Sequence, residues 1–243
     1  MCTVSFIPSR NQYFFTSSRD EHAGRPLAVL PRQYSINGQK VLYPKDPQAG
    51  GSWIAVHESG NTAVLLNGAI QAHKPEPPYR KSRGLILLDM ISNPEPVQAF
   101  RDYDFHRIEP FTIILFENKK LWSGKWDGMN KLLLSLNPHR PHIWSSVTLY
   151  DKPAIQKREN WFNKWLAEVP NPETADIVRF HQQGGDGDPT NDLLMNRAGK
   201  LFTNSISSIR LSGSAADFYY LDLRNGETAE VFMPFQKTIS VNA

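Results

Sequence analysis

Cysteine is nearly absent: the 243-residue chain has one, Cys2. A single thiol excludes an intrachain disulfide framework and any thiolate-rich metal centre. Long apolar runs are missing too. Leu85-Ile86-Leu87-Leu88 is typical of the longest, far short of the roughly 20 residues of a membrane-spanning helix. No basic stretch leading into an apolar one marks a secretory signal. Charge of one sign is also lacking. The net charge is +3 with scattered basic residues, which argues against a nucleic-acid partner. The one small cluster, Lys74, Arg80, Lys81 and Arg83, reads as a solvated helix start. These absences lead us to expect a soluble, cytoplasmic protein with no membrane span, and they leave its oligomeric state open.

What is present is enough apolar residue for a sizeable core, 40% of the chain, including six tryptophans. Without repeats or low-complexity tracts, residues 1–243 read as a single domain. Val4–Ile7 and Tyr13–Ser17 have the β-branched and aromatic content of a hairpin. Arg25–Gly51, rich in Pro, Gly and Gln, reads as a long ordered loop with one strand-like fragment at Gln39–Leu42. Trp53–Val56 and Thr62–Leu66 form a second hairpin, and Phe111–Glu117 with Lys120–Trp126 a third, around Asn118-Lys119. Lys131–Ser135 and Ile143–Ser146 read as further strands.

Helical signals fall in two pairs. Ser82 opens a helix that Asn93-Pro94 stops, and Glu95–Tyr103 follows. Lys152–Val169 carries one apolar stripe of Trp161, Phe162, Trp165, Leu166 and Val169, and a helix starting at Asn171-Pro172-Glu173 comes next. Gly184–Pro189 reads as a flexible polar loop. Ser205–Leu211, Asp217–Leu223 and Glu230–Phe235 close the chain as three strands. Runs of strands alternating with pairs of helices predict an α+β class: two stacked antiparallel sheets between helix layers.

The chemistry concentrates at the start. Once Met1 is removed, Cys2 carries an α-amine beside its thiol. The two titrate close together, near pKa ~8.5 for a thiol and ~7.7–8.0 for an α-amine, so the amine is a matched base. The bland alternative is a small buried hydrophobe. Asp20 lies where a hairpin returns toward residue 2, so its carboxylate can hold that amine; with Arg19, the alternative is a solvated strand end bearing a surface ion pair. Asn67-Gly68 after an apolar strand is either a simple turn or an oxyanion donor. His139 and His142 lack further ligands at metal spacing, so no metal is expected. Asp186 and Asp188 lack the full calcium-loop pattern and read as a linker.

Taken in order, several stretches resemble the Asn-Arg-Asp-Glu (NRDE) family, to which transport and Golgi organisation protein 2 belongs. They are Met1-Cys2; Ser18-Arg19-Asp20-Glu21 with Arg25-Pro26; Gly50-Gly51-Ser52-Trp53-Ile54-Ala55-Val56; Thr62-Ala63-Val64-Leu65-Leu66-Asn67; and Ser145-Ser146 ahead of Lys157-Arg158. The resemblance implies an N-terminal-nucleophile hydrolase fold, a four-layer αββα sandwich. It also implies hydrolysis of a non-peptide amide by Cys2, with Asp20 orienting the amine and Asn67 at the oxyanion site. Arg19, Trp53 and Ser146 become substrate-binding candidates, with a small-molecule amide as ligand and no cofactor. The alternative it implies is a non-catalytic binding or trafficking protein for haem or an acyl-coenzyme A or lipid. Three positions depart from the family pattern. Ser18 and Ser146 replace asparagines, and the late arginine has no aligned partner near Ser214, Arg210 being shifted.

Overall fold

The computed structural model describes residues 3–236, so Cys2 lies outside the described residues. The elements run β1 (Thr3–Ser9), β2 (Gln12–His22), β3 (Val29–Ile36), β4 (Gln39–Lys45), β5 (Ile54–His57), β6 (Thr62–Asn67), α1 (Arg83–Ile91) and α2 (Pro96–Asp102). They continue with β7 (Phe111–Glu117), β8 (Lys120–Trp126), β9 (Lys131–Leu136), β10 (His142–Ser145), α3 (Lys152–Glu168) and α4 (Thr174–Gln183). The last four are β11 (Asn196–Arg197), β12 (Leu201–Leu211), β13 (Ala215–Asp222) and β14 (Thr228–Pro234). One sheet has the order β10-β1-β2-β12-β13-β14, with β11 on β12; the other runs β3 to β9 in sequence. Every pairing among the described residues is antiparallel.

Strand periodicity distributes three cores. Val4, Phe6, Phe15, Trp53, Val64, Ile114, Phe116, Ile209 and Phe218 pack between the sheets. Ile113 and Leu115 alternate with Ile114 and Phe116 and pack instead with Ile86, Leu87 and Phe100 of α1 and α2. β7 is therefore buried on both faces, which is why it reads as an unbroken apolar run. Ile7 and Phe14 meet Phe162, Ile177 and Phe180 of α3 and α4 on the opposite side. The result is the αββα layering expected from the element order. Each such side chain, fully buried, contributes about 1.5–3 kcal/mol.

The helices begin where expected. The Ser82 side chain caps α1, accepting from the amide of Leu85, and Asp151 caps α3, accepting from Ala154. Two expectations need correction. Arg25–Gly51 is mostly a β-hairpin, β3 and β4, turned by Asn37 and Gly38, both at positive φ. That is the dipeptide a tight hairpin turn requires. Pro31 and Pro44 disguised it. β3 is a sheet edge, where a proline costs no ladder bond, and β4 pairs with β5 only at Val41 and Leu42. The basic cluster is solvated only in part: Lys74 and Arg80 are exposed, but the other two are not. Lys81 pairs with Asp89, and Arg83 sits 3.1 Å from Glu109 with its side chain 18% exposed.

Candidate active site

β2 sends successive side chains to opposite faces of its sheet, and this alternation builds the site. Arg19 and Asp20, neighbours in sequence, are 4% and 3% exposed, so the solvated strand-end alternative does not hold. Both line a cavity of about 580 Å³, together with Trp53 and Asn67. Four of the expected site residues thus meet in one place. Ser146, 1% exposed, does not line it; its hydroxyl donates to the Asn67 carbonyl at 2.8 Å and pairs with Thr148 Oγ1. It braces the end of β6, which carries Asn67. Cys2 precedes Thr3, whose register partner on β2 is Ser18.

Asp20 is held by hydroxyls. Its Oδ1 accepts from Thr203 Oγ1 at 2.6 Å and its Oδ2 from Tyr150 Oη at 2.8 Å. Tyr150 in turn lies against two guanidinium groups. Arg158 is 3.5 Å and Arg197 5.3 Å from its ring centroid. Arg158 is fully buried and donates to Thr3 Oγ1 and to the Asn191 and Asp192 carbonyls. It lies four residues before Phe162, on the inward stripe of α3.

Arg19 faces the space between the sheets. Its guanidinium lies 4.7 Å from the Trp53 ring and donates to Asp46 Oδ2 at 2.9 Å. Trp53 is fixed from behind by an Nε1–H bond to Ser207. Arg25 reaches the same Asp46 oxygen with two nitrogens, at 2.8 and 3.0 Å. The other oxygen accepts from the amides of Gln48 and Ala49. Burial pushes the Asp46 carboxyl up, but the Ala49 amide and the two arginines outweigh it and hold it below the usual range. This clamp folds the turn that leads to Gly51. There the backbone comes so close to α1 that a Cβ would stand 2.3 Å from the Gly84 carbonyl carbon. Only glycine permits that approach, and it brings the start of α1, with Lys81 and Arg83, into the cavity wall.

His181 of α4 is completely buried, and its two ring nitrogens bond Ser5 and Ser18 at 2.8 Å each. Burial, aided by the positive charge of Arg158, lowers its pKa to about 3. A histidine beside serines suggests a nucleophile and base, but Ser5, Ser18 and His181 all have zero exposure. The neutral ring instead ties β1 and β2 together next to the site. Tyr150, Thr203, Arg158 and Asp46 were not singled out as site residues from sequence. Arg158 stood in a matching motif; the other three lie on a loop, two residues before the expected strand start at Ser205, and just after the unrecognised hairpin. Among the described residues no cluster of His, Cys, Asp and Glu has the geometry to hold a metal ion.

Residues 1–191 match the family described as Transport and Golgi organisation 2. The chain belongs to that family. No curated protein sequence matches it. Among solved structures, a variant of the conjugated bile acid hydrolase from Clostridium perfringens is similar at a TM-score of 0.62 and 10% identity, covering 99% of each chain. The C2A mutant of that hydrolase gives a TM-score of 0.61 at 8% identity, covering 98% of this chain and 97% of that one. The Caenorhabditis elegans N-acylethanolamine-hydrolyzing acid amidase ortholog follows at 0.56 and 12%, with 86% and 92% covered. At these identities the likeness establishes the fold, that of N-terminal-nucleophile hydrolases. No helix among the described residues is long and apolar enough to cross a membrane.

Proposed function

We propose that this family member is a cysteine N-terminal-nucleophile hydrolase that cleaves a non-peptide C–N amide bond in a small molecule. The observation that carries the reading is the convergence of buried Asp20 and half-buried Asn67 on one cavity, beside the strand whose first described residue directly follows Cys2. Thr3, the residue after Cys2 in the chain, pairs with Ser18, two residues before Asp20 on β2. The named fold relatives are a conjugated bile acid hydrolase and an N-acylethanolamine-hydrolyzing acid amidase, which supports hydrolytic chemistry of this kind.

With Met1 removed, the Cys2 sulfur attacks the amide carbonyl and its proton passes to the α-amine. Asp20 orients that amine. The Asn67 amide, at the end of β6, offers a donor to the oxygen as it becomes an oxyanion; one such donor is worth roughly 10²–10³ in rate. The C–N bond breaks as the ammonium returns its proton to the leaving nitrogen, leaving a thioester. Water then attacks the thioester while the amine accepts its proton, and the thiol departs with the proton restored. Arg19 and Trp53, stacked on the cavity wall, form the substrate-binding surface.

The cavity wall argues for a polar substrate over haem or a lipid. Arg19, Arg25, Lys81, Arg83, Asp46 and Glu109 all reach it, whereas an apolar ligand is best held by mostly apolar walls. The test is hydrolysis of a panel of N-acyl amides by wild-type protein and Cys2→Ala, alongside titration with haemin. Turnover lost in Cys2→Ala is the expected result. Haemin binding without turnover of any amide would overturn the reading.

A further inference from the structure

Asp20 is held in an unusual way. Two hydroxyls, one on each carboxylate oxygen, come from separate parts of the chain: Tyr150 from the segment before α3 and Thr203 from β12. The second depends on an irregularity. β12 slips register against β2 between Thr203 and Ser205, so Thr203 pairs with Asp20 and Ser205 with Arg19. Asn204 is the extra residue that re-aims the strand, the usual effect of a bulge beside a site. The first hydroxyl is held just as firmly. Arg158 stacks on the Tyr150 ring at 3.5 Å, and Arg197 lies 5.3 Å from the same ring while donating to the Leu149 carbonyl at 2.7 Å. A guanidinium over an aromatic face is attractive, and positive charge beside a phenol favours donation of its proton toward a carboxylate. The other titratable group nearby, His181, is neutral and turned to Ser5 and Ser18. Arg158 is fully buried, and a buried cation is costly unless its donors find partners. Each of its three nitrogens donates once, to Thr3 Oγ1 or to a carbonyl, and the cation ends against the residue that grips Asp20.

We propose that Tyr150, packed against Arg158 and Arg197, and Thr203 are positioning residues that aim the Asp20 carboxylate at the α-amine of the nucleophile. The inference rests on the reading of Cys2 and Asp20 given above and deepens it. Asp20 acts on the amine only if its oxygens face the right way, and two hydroxyl anchors on different elements set that direction. Without them the carboxylate rotates, the ammonium form of the amine loses support, and the Cys2 thiolate beside it is disfavoured.

The experiment is the pH profile of Cys2 alkylation by iodoacetamide, read by intact mass, on full-length wild type, Asp20→Asn, Tyr150→Phe, Thr203→Val and Thr203→Ser. Tyr150→Phe and Thr203→Val should each slow alkylation about tenfold at neutral pH, the size of one hydrogen bond to a charged group. Their profiles should move up toward that of a free thiol, near ~8.5. Thr203→Ser, which keeps the hydroxyl, should follow wild type; a merely structural role would not distinguish Ser from Val in this way. Profiles of Tyr150→Phe and Thr203→Val that overlay wild type while Asp20→Asn shifts would overturn this inference and leave the reading of Asp20 standing. If Asp20→Asn also overlays wild type, the reading of Asp20 fails and the inference with it. Should Tyr150→Phe not fold, the Thr203 pair decides the matter alone.

Discussion

Asp20 and Asp46 reach the same cavity, and their surroundings are opposites. Asp46 meets two guanidinium ions and two backbone amides. Two of the groups that hold Asp20 are hydroxyls, of Tyr150 and Thr203. A carboxylate neutralised by arginines ties loops together, and here it shapes the turn behind Gly51. A carboxylate gripped by hydroxyls is aimed at a chosen spot without being neutralised by those contacts. Adjacent residues Arg19 and Asp20 therefore divide the labour: β2 turns one toward the structural clamp and the other toward the chemistry.

Substitutions at the two carboxylates should separate these roles. Asp20→Asn should lower amide hydrolysis by about 100-fold or more, the contribution typical of a group managing proton transfer, while shifting the urea midpoint less than Asp46→Asn does. A smaller loss of activity than that of Asp46→Asn would reverse the assignment. Asp46→Asn should cost about 3 kcal/mol in urea unfolding, because Arg19, with its side chain 5% exposed, loses its nearest counter-charge. The same variant should flatten the acid limb of stability. The folded Asp46 carboxyl lies below 3.8, so its contribution is complete above that pH and disappears as the pH falls through the depressed folded value.

His181 sharpens the contrast in another pH window. Its folded pKa is about 3 against an ordinary 6.5. The stability it holds is therefore complete above pH 6.5 and lost as the pH falls from there toward 3, before Asp46 is affected. His181→Gln should remove that slope between pH 6.5 and 4 while leaving the loss that Asp46 contributes at lower pH; an unchanged slope would show that the ring titrates normally. The smallest effect belongs to Ser146→Ala. Loss of one buried hydroxyl donor to the Asn67 carbonyl should cost about 1 kcal/mol, with a modest fall in turnover and little change in KM.

Much of this arrangement was legible in the chain, for physical reasons. The hairpin Phe111–Trp126 was readable because its strands are buried or half-buried and its Asn118-Lys119 turn takes positive φ at both residues. Asp20 and Asn67 could be named because one lies near the end of β2 and the other ends β6, and strand ends are where sheet side chains open onto a cavity. β3 and β4 were hidden by prolines that an edge strand tolerates, although Asn37-Gly38 announced their turn. Tyr150 and Thr203 left no local trace. Their roles arise from contacts across more than a hundred residues of chain, and Thr203 reaches Asp20 only through the slip at Asn204. Arg158 reads in sequence as one more charge on an amphipathic helix; only three-dimensional packing places it fully inside.

The account stands or falls on the N-terminus of the protein. Intact mass of protein purified from cells, before and after a short exposure to iodoacetamide at neutral pH, examines it directly. The account predicts a chain lighter by one methionine that gains a single adduct, located on Cys2 by fragmentation. A chain that retains Met1 quantitatively, with Cys2 unmodified, would contradict it.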